Sequence, residues 1–180
     1  MKKMMMLAGA VALAACAQAA TVSWSCTKVY TGDTENKAAG VAYFLTTSMA
    51  SVDSWASLKS ASEFNTALSG KYSFTPATAG TYTHDAVENA TLGLADATDY
   101  TAYLLVFDTA TITDSSKYYI TSTAALTTMG GTSTKALTFG SQKDASQAAA
   151  GWTTVSTPEP TSGLLLLLGL AGVALKRKRA

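Results

Sequence analysis

His84 is the single histidine of the chain, and Asp85 follows it directly. A histidine beside a carboxylate can serve as a general base for a serine nucleophile. No Gly-x-Ser-x-Gly elbow accompanies this pair, and a His-Asp step in a Gly-Thr-Tyr loop is more commonly a surface feature. Cys26 would be the thiol nucleophile. It shares one face of an alternating stretch with Val22 and Trp24, and no His or Arg neighbours it in sequence, so it is expected to be buried and inert. Metal binding by Cys26 and His84 would need two further ligands that nothing marks. Asp96 and Asp99 could serve calcium, but no EF-hand loop surrounds them. Gly130-Gly131 lacks the lysine that follows a phosphate-cradling loop. Asn89-Ala90-Thr91 fits a glycosylation sequon, a three-residue pattern that arises often by chance. No catalytic residue, metal or cofactor is therefore expected, and the chain is read as a non-enzyme.

The chemistry that the sequence does spell out is done to this chain by other enzymes. Lys2 and Lys3, the apolar stretch Met4–Leu13 and Ala17-Gln18-Ala19 follow the order of a secretory signal, with signal peptidase cutting between Ala19 and Ala20. Leu13-Ala14-Ala15-Cys16 also fits a lipobox, in which Cys16 would become a lipidated first residue. Once Cys16 leaves or is lipidated, Cys26 has no partner for an intrachain disulfide. At the other end, Pro158-Glu159-Pro160 precedes the uncharged run Gly163–Leu175, and Lys176, Arg177, Lys178 and Arg179 follow. The two prolines fix φ and hold the segment extended, as a processing enzyme needs. The run is 13 residues long. As a helix it reaches about 20 Å, against a hydrocarbon core of about 30 Å. It is short for a permanent span, although flanking residues can extend it and the cations can snorkel. The four cations favour keeping that side in the cytoplasm, with the body outside. On these residues alone, a transient span and an ordinary short tail anchor stand equal.

The order of a Pro-Glu-Pro knuckle, a short Leu/Gly/Ala helix and a Lys/Arg cluster resembles the PEP-CTERM sorting domain of bacterial surface proteins. The resemblance covers about the last 23 residues and nothing of the body. It implies that an exosortase-like enzyme reads Pro158, Glu159 and Pro160. It also implies that the tail lies only transiently in the cytoplasmic membrane, and that the protein reaches the cell surface or extracellular matrix without residues 161–180. It transfers a route, not an activity.

Between these ends the sequence predicts one domain: a signal peptide over 1–19, a Ser/Thr-rich body over 20–157 and the sorting segment over 158–180. The body has seven Lys, no Arg and eleven acidic residues, a net charge of −4. That balance argues against nucleic acid or an anionic membrane as the body's own partner. About a third of the body is Ser or Thr, and β-branched Thr favours strands. Strands are expected at Thr21–Tyr30, Val41–Thr47, Lys71–Phe74, Tyr100–Asp108, Tyr118–Thr123 and Lys135–Phe139, with a weaker one near Ala110–Thr113. The apolar run Ala102–Phe107 predicts a central strand covered on both faces. Asp114-Ser115-Ser116 should fold the next strand back against it. Trp55, Leu58, Ala61, Phe64 and Leu68 recur at helical spacing, and Ser60-x-x-Glu63 is a capping box. Two short helices jointed near Ser60 are expected over Ser51–Ser69, and Gly70 ends them. A further short helix is expected over Asp144–Ala150.

The fold class predicted is all-β, a β-sandwich with a helical insertion at about 51–69, flanked by a signal helix and a transmembrane helix. The function expected first is a structural or interaction protein of the bacterial surface or matrix. The second is a surface carbohydrate-binding module, with extracellular polysaccharide stacked on Tyr72, Tyr82, Tyr100, Tyr103, Tyr118, Tyr119 or Trp152, and a row of exposed coplanar rings would favour it. A secreted hydrolase built on His84 or a carboxylate pair comes last.

Overall fold

A computed structural model of the chain describes residues 19–31, 37–140 and 151–156. The expected signal helix, the helix over Asp144–Ala150 and the tail from residue 157 onward lie outside the described residues. In the rest strands predominate over helix, the all-β class expected. The strands are β1 (Thr21–Ser25), β2 (Ala42–Thr46), β3 (Ser73–Phe74), β4 (His84–Glu88), β5 (Asp99–Phe107), β6 (Lys117–Ile120), β7 (Ala124–Thr127), β8 (Thr134–Thr138) and β9 (Thr153–Thr154). A 3-10 helix (Val52–Ser57) and one α-helix, α1 (Ala61–Leu68), lie between β2 and β3. Among the described residues no helix is long and apolar enough to cross a membrane.

β5 organises the body. Its residues Ala102 to Phe107 are all buried, as a strand covered on both faces must be. It sits inside a six-stranded sheet ordered β3-β2-β5-β6-β9, with β7 also paired to β5. The second sheet has three strands, β4-β1-β8, and there β1 and β8 run parallel. Ala102, Leu104 and Val106 join Trp24, Phe44 and Leu137 in a cluster drawn from both sheets. The alternate residues Tyr103, Leu105 and Phe107 join Trp55, Phe64 and Leu68, so the helices cover the far face.

The helical insertion is jointed as expected. Ser60 caps α1 by accepting from the Glu63 amide, while the Glu63 carboxylate accepts from the Lys59 amide. Gly70, at φ +72°, follows the C-cap in the left-handed region that Gly adopts without strain. Trp55 stacks on Phe64 with ring centroids 5.9 Å apart, and the Trp55 indole donates to the Tyr103 hydroxyl at 2.8 Å.

Elsewhere the boundaries differ from the pattern. The strand expected over Thr21–Tyr30 ends at Ser25. Lys28 then takes a left-handed φ of 59°, which a continuing strand does not permit. No strand forms over Ala110–Thr113. There the hydroxyls of Thr109, Thr113 and Ser116 bond one another, and the Ser116 hydroxyl accepts the Thr113 amide, so a hydroxyl-knotted turn replaces a ladder. The Asp114-Ser115-Ser116 turn does bring β6 back antiparallel to β5, in register Leu105↔Ile120. Farther along, Thr121 interrupts the pairing. Its hydroxyl accepts the Leu104 amide at 2.9 Å, after which β7 takes over the same edge of β5. β4, β7 and β9 carry no strong strand pattern in sequence; β4, His84-Asp85-Ala86-Val87-Glu88, buries only Val87.

Candidate functional site

The junction between body and tail is built by β9. Thr154 and Thr153 pair with Lys117 and Tyr118 of β6, so among the described residues β9 ends the larger sheet on the side opposite β3. Residues on either side fix it to both cores. The Trp152 indole donates to the Tyr30 carbonyl, and its ring packs 5.8 Å from Tyr119 on the inter-sheet cluster. Val155 is 1% exposed within the helix-side cluster. The Val155 amide donates to Ser116 at 2.8 Å and the Ser156 amide to Asp114 at 3.1 Å, both to carbonyls. Asp114 also reaches the helix, accepting the Ala61 amide on its side chain at 2.7 Å. The chain is thus held through Ser156, and Thr157 alone separates Ser156 from Pro158. Sequence reading missed this clamp. Its signal was Trp152-Thr153-Thr154-Val155, aromatic and β-branched residues placed directly before the knuckle.

The entry of the body lies at its other end. The Ala20 carbonyl accepts the Asn89 amide at 2.9 Å, and the Asn89 side chain donates to Asp96 and to the Met129 carbonyl. Thr128 meets Thr98 beside them, next to the Asp99↔Thr127 pair that starts β5. Ala20 is itself buried and Ala19 exposed, so the expected cleavage position falls at the edge of the packed body. Pro158, Glu159, Pro160, Lys176, Arg177, Lys178, Arg179 and the alternative Cys16 lie outside the described residues.

The other candidates have structural employment. Cys26 is buried with Val22 and Trp24, and desolvation pushes its thiol up to about 12, far from a thiolate at neutral pH. His84 begins β4 instead of lying in a surface loop. It is half-buried against Trp24, Tyr72 and Phe74. Its Nδ1 donates to the Asp85 carbonyl at 3.1 Å, which leaves Nε2 to accept the Tyr72 hydroxyl at 2.8 Å. Asn89 is 2% exposed and both of its donor contacts are internal, so the sequon amide is not presented to a glycosylating enzyme. Asp99 accepts the Thr127 hydroxyl at 2.6 Å. Among the described residues no three His, Cys, Asp or Glu side chains gather where they could hold a metal ion.

The aromatic rings do not form the exposed row that sugar stacking would use. Tyr82, Tyr103 and Tyr118 are buried, and Tyr72, Tyr100, Tyr119 and Trp152 are half-buried. They fill the two cores, because a large ring removes more apolar area from water inside than outside. A cleft of about 400 Å³ opens at the β5 start. Thr47, Ser48, Thr101 and Thr127 line it with hydroxyls, beside Asp99 and Tyr100.

No curated protein and no solved structure matches this chain. The comparison with family models agrees with the residues of the tail. Its match begins at Ser156, whose amide the Asp114 carbonyl accepts. Residues 156–179 carry the PEP-CTERM protein-sorting motif, which marks the protein for export, processing by an exosortase-like enzyme and sorting to the cell surface.

Proposed function

We propose that this is a structural or interaction protein of the bacterial surface or extracellular matrix. Its sandwich-like body is the cargo, and its tail holds it in the cytoplasmic membrane until processing. One observation carries the reading: Trp152, Val155 and Ser156 are bonded into the body directly ahead of the sorting motif over residues 156–179. Signal peptidase supplies the other end, between Ala19 and Ala20. His84 bonds Tyr72 and Cys26 is buried in the inter-sheet cluster, so neither is assigned a reaction. Mass spectrometry of surface-extracted protein tests this. The expected form starts at Ala20 and lacks residues 161–180. A form that still ends in Lys176-Arg177-Lys178-Arg179-Ala180 makes the tail a permanent anchor and defeats the reading. Replacing Glu159 by Ala should leave export intact and let the unprocessed form accumulate in the membrane.

The second reading is a surface carbohydrate-binding module. The hydroxyl-lined cleft favours it, since Asp99 and four hydroxyl side chains offer the donors and acceptors that sugar hydroxyls pair with. Titration of the protein with its own cell's polysaccharide tests it. Binding weakened by Asp99→Asn would support the cleft, and no heat or shift on titration would remove it.

A further inference from the structure

The chain enters the body at one end and leaves at the other. Entry, at Ala20, lies with Asn89, Met129 and the start of β5. Exit, at Ser156, lies with Asp114 and Lys117, beside the end of β5 where Phe107 pairs with Tyr118. β5 has nine residues. At about 3.4 Å per residue the two ends stand about 27 Å apart. The exit is rigid, because Trp152 is fixed to one core and Val155 to the other. Beyond it the tether is short. From Ser156 to Gly163, where the apolar run starts, fully extended chain spans at most about 25 Å.

Resting on the membrane-held precursor proposed above, we infer that the body stands on the lipid surface on its Asp114–Lys117 end. The opposite end, with Ala20 and the hydroxyl-lined cleft at Thr47, Ser48 and Thr127, then faces away from the membrane. The lower end is suited to rest beside headgroups without entering them. It presents the exposed side chains of Thr109, Thr111, Thr113, Asp114, Ser115 and Lys117, which are polar and of both charge signs. The tether sets the orientation, and no adhesive patch is required. A consequence is that the precursor already displays its cleft outward before any processing occurs.

Energy transfer tests this. Residues 20–180, in a Cys26→Ala background, are placed in vesicles of phosphatidylethanolamine and phosphatidylglycerol that carry an acceptor dye on the headgroups. A donor dye is attached at Ser115→Cys or at Ser48→Cys; both positions are exposed. Transfer from position 115 should exceed that from position 48 by about twofold or more, given the separation along β5. Inserting twenty Gly/Ser residues after Ser156 adds roughly 25 Å of flexible span and should erase the difference. Equal transfer from the two positions in protein that floats with the vesicles, or greater transfer from position 48, overturns the orientation alone. Protein that does not float with the vesicles defeats the membrane-held precursor and the orientation together.

Discussion

Phe64 is the rivet between the helical layer and the larger sheet, and replacing it by Ala should detach that layer. The ring is fully buried, at 0% exposure. Its centroid lies 5.9 Å from Trp55, 5.8 Å from Phe107 and 5.1 Å from Tyr118. Truncating a buried Phe to Ala costs about 3–5 kcal/mol. Three ring contacts, each worth up to about 1 kcal/mol beyond area, place this site in the upper half of that range. A loss of about 4–5 kcal/mol is a large share of the roughly 5–15 kcal/mol that holds a domain folded. The midpoint of thermal unfolding should fall by roughly 15 °C. Leu at the same position keeps most of the volume and should cost about 1–1.5 kcal/mol. Urea unfolding followed by tryptophan fluorescence reads both variants, because Trp55 stacks directly on the lost ring. A change below about 1 kcal/mol in Phe64→Ala, with an unchanged slope against urea, would mean that the helices are not part of the cooperative body. In that case α1 would not brace Asp114 and the tail junction through the Ala61 amide.

Three further outcomes follow from buried groups. Stability should fall as pH rises from about 9 to about 12, because the unfolded Cys26 thiol ionises near its ordinary 9.0 while the folded one stays neutral up to about 12; below pH 9 its contribution is fully present. Cys26→Ala should flatten the first part of that fall, and a native thiol that labels rapidly at pH 8 would contradict the burial. A Cβ at Gly40 would overlap the Phe107 carbonyl oxygen and the Thr109 amide nitrogen, both backbone atoms that cannot move aside, so Gly40→Ala should yield little soluble folded protein in an expression and light-scattering assay. Asn89→Asp removes the donor that now faces Asp96 at 2.7 Å and sets two carboxylates together; it should cost about 2–4 kcal/mol at pH 7, and less at pH 3, where protonation relieves the repulsion.

Local sequence was sufficient wherever one segment decided its own fate. The unbroken apolar run Ala102–Phe107 has no polar face to offer water, so it had to be central, and β5 is. Ser60 and Glu63 mark a helix start through contacts three and four residues apart, and Gly70 marks its end through a φ that other residues resist. The tail is legible for the same reason: knuckle, apolar run and cations lie in one contiguous order, and the family match falls on them. Burial of Cys26 followed from its place beside Val22 and Trp24.

What the tertiary structure decided depends on partners distant in sequence. β4 is mostly polar, and it is a strand because β1 offers it a ladder. β9 has two residues, too few for any pattern, and exists because β6 leaves an open edge and both cores leave room for Trp152 and Val155. The switch from β6 to β7 turns on the Thr121 hydroxyl meeting the Leu104 amide, one contact among many Thr that look alike in sequence. The aromatic rings were assignable to sugar or to core only once the second sheet and the helices were in place to cover them. Residue order named the destination of this chain. Long-range pairing alone could fix where the chain leaves the body, because a strand edge is made by its neighbour and not by its own residues.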